Sequence, residues 1–515
     1  MSKPGPALQR RAGSDEALMR VVSERYAAGE LALAERLAAA FADDLREPVP
    51  ALWLAGRAAL RRSALGVIEA LAQRLARYGP GGAMRAAALR GAAAGRAGDC
   101  EGARAVLEPL LRDETADLAS AYDLALAFWN ARRLDEAEGV LERFAARASG
   151  LDHVCFAQLR GWIEVGRERY SAAIRHFDEA LRAYAACGER DEWLRARILQ
   201  AVSALSMETL DLPMLPQLEK QLPRDAVGEA REPVFHATQN IGWLVMLSGR
   251  PLDALAYFEQ ARSVAATPAL RSVASLNVAT YHRLRNNTSA AAEYLALART
   301  ELAGQNWLEA NVDERMTLLE YALEAYHLDP HTAAATLTRY LSHTKKLQGN
   351  LSFEDDARVE AIELMARGVL EAIHRRRSSA VAALRDAGAI WARLGYRYRE
   401  VLTDLLANDI DGDETWLRRA GRAAASAPKS WLRREIERRE TRARTGVASL
   451  TPAERRVMLA ICEGKSSKQI AAEFGRSFHT IRNQTLKVYH AMGVRSRGEL
   501  IVECSRLGIV APPQT

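Results

Sequence analysis

Little in these 515 residues suits an exported or membrane-embedded protein. The five cysteines (Cys100, Cys155, Cys187, Cys462 and Cys504) are odd in number, widely scattered and without a C-x-x-C pair. That excludes a disulfide framework or a zinc knuckle and fits a reducing compartment. No run approaches the roughly 18 apolar residues that cross a bilayer. The opening Met1-Ser-Lys-Pro-Gly-Pro6 lacks the apolar centre of a signal peptide. A cytoplasmic protein without membrane contact is expected. Aromatics make up only 6% of the chain, and the Val, Ile and Thr runs that mark strands are almost absent.

Catalytic and metal signatures are missing as well. The ten histidines show no H-E-x-x-H or paired ligand spacing, and no G-x-S-x-G elbow exists. Asp409-Ile-Asp411-Gly412-Asp413 has its glycine two places early for a calcium loop, and Ala420 stands where such a loop ends in Glu. Gly464-Lys465-Ser466 ends like a phosphate-binding loop, but Leu459 replaces its first glycine. The expectation is a protein that is not an enzyme and holds no metal or cofactor. Cys462 and Cys504 read as apolar filler.

What is present is helix. Ala, Leu, Arg and Glu dominate, and from Asp15 onward apolar residues recur at three and four. The length exceeds one ordinary domain of about 100–200 residues, which asks for several domains or a repeated unit. A repeat is visible. Arg132-Arg-Leu-Asp-Glu-Ala137-Glu-Gly-Val-Leu141 has counterparts in Gly98-Asp-Cys-Glu-Gly-Ala103 and Arg169-Tyr-Ser-Ala-Ala173. Gly29-Glu-Leu-Ala-Leu-Ala34, Ser63-Ala-Leu-Gly-Val-Ile68 and Gly249-Arg-Pro-Leu-Asp-Ala254 keep the same phase, with looser copies at 286–295 and 375–384. A turn followed by a small residue lets two helices pack closely, and such pairs must stack to bury their apolar faces. The pattern resembles a degenerate tetratricopeptide repeat.

The resulting expectation is an all-α chain in four parts. Residues 1–13 are a loose tail, 14–410 a tetratricopeptide-like α-solenoid, and 411–448 an exposed Arg/Glu-laced connector with a hinge. Residues 449–515 form a small four-helix domain. Most of the nine tryptophans are expected between helices.

The last part carries most of the charge. Between Ser449 and Val510 there are ten Lys/Arg against five Glu, a net of +5, whereas the whole chain holds 71 against 65, or +6. Such a concentration suits a polyanion partner. Thr451-Pro452-Ala-Glu454 gives a complete helix start, and short, Gly-turned and longer basic helices follow in the order of a helix-turn-helix. On the third helix Ile481, Val488 and Met492 would face the core with Thr485 beside them. Arg482, Asn483, Leu486 and Lys487 would face outward, where Arg can bond guanine and Asn adenine. Thr480 and Lys468 suit phosphate oxygens.

Leu450-Thr-Pro-Ala-Glu454, Glu463-Gly-Lys-Ser-Ser-Lys-Gln-Ile-Ala471, Thr480-Ile-Arg-Asn483 and Met492-Gly-Val-Arg-Ser-Arg497 resemble the LuxR/NarL-type DNA-binding domain. The resemblance implies that 478–492 is a recognition helix and that the domain works on double-stranded DNA as a homodimer through its fourth helix. It places base reading on Arg482, Asn483 and Leu486, within a contact set that adds Ser467, Lys468, Ser477, Thr480, Gln484 and Lys487. Gln484 stands where the family usually has His, and Leu486 where a polar residue often reads the groove. Solenoid and domain together imply a transcriptional regulator that senses a small molecule, peptide or protein. The alternative is an interaction scaffold in which DNA binding is secondary.

Overall fold

The computed structural model describes residues 6–112, 117–303, 312–344, 353–445, 447–506 and 509. Among them the chain is all-α, with twenty-seven α-helices, α1 to α27 in chain order, and no strand. The first twenty-two pair successively as hairpins of a tetratricopeptide-like α-solenoid, and the last four form a separate small bundle.

One local rule generates the hairpins. Gly29, Ser63, Gly98, Arg132, Glu168, Gly249, Asn286 and Arg375 all adopt positive φ, between 55° and 91°. In each case the next amide bonds the carbonyl five residues back, as Asp99 does to Ala94 (2.9 Å) and Arg133 to Phe128 (2.9 Å). This ends the first helix by satisfying its last carbonyls. Five residues beyond each left-handed residue, Ala34, Ile68, Ala103, Ala137, Ala173, Ala254, Ala291 and Ala380 are buried where the second helix approaches the first.

A second rule sets the spacing inside a hairpin. Gly91, Gly161, Gly242 and Gly368 each lie seven residues before a left-handed residue, and each faces a large side chain nine residues after it: Leu107, Phe177, Phe258 and Leu384. A β-carbon on Gly161 would stand 2.7 Å from the Phe177 ring. Helix propensity alone predicts that Ala stabilises a mid-helix glycine by about 0.5–1 kcal/mol. Gly161→Ala is instead expected to destabilise the protein by about 1–3 kcal/mol through overpacking between α9 (Gly150–Gly166) and α10 (Tyr170–Cys187). A thermal melt that rises would show that this contact relaxes freely.

The solenoid closes on itself. After about five to six hairpins the superhelix comes round to its own start. The amide of Ala32 in α2 (Leu31–Phe41) bonds Glu229 Oε1 at 3.1 Å, and Arg61 meets Asp191 at 2.5 Å. The second turn lies on the first through Arg393–Glu168 (2.9 Å), Arg399–Glu208 (2.9 Å) and the packed rings of Tyr170 and Tyr396. One hydrophobic core therefore runs from Val154 to Ile436.

Two boundaries differ from the sequence reading. Helix α1 (Pro6–Ala27) begins inside the segment expected to be a loose tail. Proline fits the first helical turn, where its missing N–H has no partner to lose, and Leu8-Gln-Arg-Arg continues as helix. The repeat also does not stop near residue 410. Helix α21 (Arg397–Asp411) is followed by α22 (Glu414–Ala423) and α23 (Trp431–Thr445), all packed into the main core. The expected connector is helical and keeps Arg434, Glu437 and Arg438 exposed, but its apolar face packs into the main core. Trp431, Leu432 and Ile436 hide its apolar stripe, and Arg439 bonds Asp409 (2.7 Å) and Glu435 (2.6 Å). Asp411 of the rejected calcium loop accepts from Trp416 Nε1 at 3.0 Å, so the acidic turn serves the fold. Gly446 of the expected hinge lies outside the described residues.

Of the tryptophans, Trp243, Trp391, Trp416 and Trp431 are buried, and Trp53, Trp129, Trp162 and Trp193 half-buried between helices. Trp307 lies outside the described residues.

Candidate nucleic-acid interface

The C-terminal bundle has its own core, built from Leu450, Val457, Met458, Ile461, Ile470, Ile481, Val488, Met492, Leu500 and Cys504. Its helices are fixed by local signals. Helix α24 (Pro452–Cys462) starts in a reciprocal cap: Glu454 N donates to Thr451 Oγ1 (3.3 Å) and Thr451 N to Glu454 Oε2 (2.9 Å). Those bonds hold the Glu454 carboxyl below its ordinary range. Helix α25 (Ser467–Glu473) repeats the device with Ser466 and Gln469. Gly475 turns the chain, and Ser477 Oγ accepts from Thr480 N at 3.1 Å to open α26 (Phe478–Met492). Gly493 closes α26 in the left-handed region, and α27 (Arg497–Arg506) follows.

This order is a helix-turn-helix, with α26 as its longer, outward-presented second helix. Ile481, Val488 and Met492 are buried, and Thr485 is half-buried with its hydroxyl on the Ile481 carbonyl (2.8 Å). Arg482, Asn483, Leu486 and Lys487 are exposed on the opposite face, Leu486 at 57%. Lys468, Ser477 and Thr480 are exposed nearby, whereas Ser467 and Gln484 are half-buried. His479 belongs to the same face and was missed: its Nδ1 lies 3.4 Å from Asn483 Nδ2. The four-residue spacing from Asn483 was the signal that could have found it.

The structure also sorts the positive charge. Arg455 donates to the Val447 carbonyl (3.0 Å), Arg497 to the Ile461 carbonyl (3.1 Å), and Arg456 covers the Phe474 ring. Lys465 is held between Glu463 and Glu473. Lys468, Arg476 and Arg482 have no ion pair among the described residues and extend from the surface. Lys487 of α26 is exposed but lies 3.9 Å from Glu454, so Lys468, Arg476 and Arg482 are the basic residues beside α26 most open to an anion. The solenoid does not cover this face.

Cys504 is buried in the bundle core and Cys462 packs against that core, and the interaction of the two thiols lowers Cys462 below its ordinary value and raises Cys504. Among the described residues, no group of three or more His, Cys, Asp or Glu is arranged to hold a metal ion, and no helix is long and apolar enough to cross a membrane.

The class defined by this geometry is a helix-turn-helix DNA-binding domain. Residues 448–504 match the luxR family of bacterial regulatory proteins, and the chain therefore carries a LuxR-type domain behind its solenoid. Two curated relatives bear the description HTH-type transcriptional regulator, one from Mycobacterium bovis and one from Mycobacterium tuberculosis. Each is 35% identical over 100 residues. The match takes in 19% of this chain and only 11% of either relative. Among solved structures, the apo form of RapI aligns with 69% of this chain and 98% of its own, at 11% identity and a TM-score of 0.43. A Rap protein complexed with competence and sporulation factor aligns with 71% and 99%, at 14% identity and a TM-score of 0.38. At these scores the likeness adds nothing to the helix packing already described.

Proposed function

We propose that this protein is a cytoplasmic transcriptional regulator that reads double-stranded DNA through α26 and is controlled by its solenoid. The observation that carries the reading is the exposed face holding Arg482, Asn483 and Leu486 above a core-facing Ile481, Val488 and Met492. Arg482 is suited to guanine O6 and N7, Asn483 to adenine, and Leu486 to a thymine methyl. Lys468, Lys487, Ser477 and Thr480 fix the register on phosphates, with Ser467 and Gln484 at the margin of the contact. The protein acts as a homodimer through α27, where Val502 is 66% exposed. The solenoid senses a ligand or partner and shifts the population of DNA-competent molecules.

The test is to sequence genomic fragments retained by the full chain at moderate salt, where nonspecific phosphate binding fades. The expected result is one enriched motif with approximate two-fold symmetry. Retention without any enriched sequence would place the scaffold reading first, with the solenoid as the working part. No reaction is assigned to the protein.

A further inference from the structure

Positive charge is not confined to the C-terminal bundle. Residues 414–445 hold ten Lys/Arg against four Glu, a net of +6, beside the +5 of 449–510. The first 413 residues hold 51 Lys/Arg against 56 Asp/Glu, or −5. The positive stretch therefore begins at α22 and α23, the last two helices of the solenoid.

Within the superhelix, positive charge is matched. A cavity of about 620 Å³ lies in the second turn. Each of the four guanidiniums on its wall, those of Arg283, Arg399, Arg438 and Arg439, lies within 2.7 Å of a carboxylate oxygen. The exposed face of α22 and α23 differs. Arg418, Arg422, Lys429 and Arg434 are exposed and form no ion pair among the described residues. Glu435 and Glu437 are taken by Arg438, Arg439 and Arg433. Half-buried Glu400 and exposed Asp413 meet Arg422 and Arg418 only as more distant charges. Arg418 and Arg422 also stand four residues apart on one helix, where like charges repel.

These cations sit on adjoining helices. Trp416, Leu417, Ala420 and Ala423 bury the other side of α22 and leave Arg418 and Arg422 outward. A β-carbon on Gly421 would stand 3.3 Å from the Arg433 guanidinium, so α22 lies beside the start of α23. Helix α23 in turn packs against α26 and the short turn Val447–Ser449, whose Val447 carbonyl accepts from Arg455 of α24. No large apolar side chain is exposed between 414 and 445 among the described residues. Protein partners bury an apolar centre, whereas surfaces that meet DNA are polar and strongly positive. Three of the four cations are Arg, whose planar fork matches phosphate oxygens.

We propose that the exposed face of α22 and the start of α23 is a second DNA surface, which takes the phosphates of duplex DNA flanking the site read by α26. It rests on the DNA reading proposed above and adds sequence-blind contacts made by the solenoid itself. The 15 residues of α23 span about 22 Å, the rise of about six to seven base pairs, which sets how far the flank must reach.

The test uses the full-length protein and the site enriched from genomic fragments. That site is presented as a short duplex and as one with about fifteen base pairs added on each side, about twice that reach. Fluorescence anisotropy gives the affinities over a range of salt. The longer duplex should bind about tenfold more tightly, with a slope of log affinity against log salt steeper by about three. Arg418→Gln, Arg422→Gln, Lys429→Gln and Arg434→Gln together should remove this length dependence. The short-duplex affinity, the enriched motif and the melting profile should stay as they are. Arg418→Lys, Arg422→Lys and Arg434→Lys together keep the charge and should keep most of the gain. Equal wild-type affinity for both duplexes, or a length dependence that survives the Gln replacements, would overturn the inference. So would poly-glutamate that competes as well as a random-sequence duplex of equal charge, since that marks an acidic protein as the partner. No specific binding of the short duplex would overturn the reading by α26 and this surface with it.

Discussion

Replacing Arg482 and Asn483 together by Ala is expected to weaken binding to the selected DNA site about a thousandfold, since each bidentate base contact supplies about 1–3 kcal/mol of discrimination. The fold should be untouched, because both side chains are exposed and neither contributes to the core beneath α26. Gel-shift titrations of the selected sequence and of a scrambled one separate the two effects. Specific binding should fall to the scrambled level, with circular dichroism and the melting profile unchanged. Lys468→Ala should behave differently. A lost phosphate contact weakens both sequences alike and reduces the slope of log affinity against log salt by about one. Retained selectivity in the double variant would mean that another surface reads the bases.

Asp404→Asn is expected to stabilise the protein at pH 8 by about 2 kcal/mol and to do little at pH 4. Asp404 lies in α21 with no exposed surface, and neither carboxylate oxygen has a hydrogen-bond partner. Burial pushes its carboxyl up to about 7; Arg419, 3.5 Å away, and Arg422 pull it down, while Glu400 pushes it further up. With the folded value above the ordinary one of 3.8, the folded state binds the proton more tightly. The stability this confers is complete below pH 4 and is lost as pH rises through about 7. At pH 8 the charged, unbonded carboxylate costs about 4 kcal/mol, and loss of its attraction to Arg419 in the variant takes back part of the gain. Urea unfolding of both proteins at pH 4, 6 and 8 tests this. A variant that is uniformly weaker would show that the Arg419 pair dominates.

Elements whose signals are local can be read directly from the chain. The caps at Thr451, Ser466 and Ser477, the glycine turns and the three-four spacing of Ile481, Val488 and Met492 suffice to place the helix-turn-helix, because a helix end is decided by side chains within one turn of it. The hairpin turns were legible for the same reason: each is a left-handed residue with a buried residue five places on, alanine in every case but Ile68. The tertiary structure alone decided the rest. Helix α23 reads as a solvated charged helix, yet its narrow stripe of Trp431, Leu432 and Ile436 is covered by helices that arrive from elsewhere in the superhelix. The pairing of Arg399 with Glu208, 191 residues apart, and the cavity beside it depend on how the small rotation of each hairpin accumulates over a full turn. That sum is a property of the whole stack, and no segment short enough to read as a motif contains it.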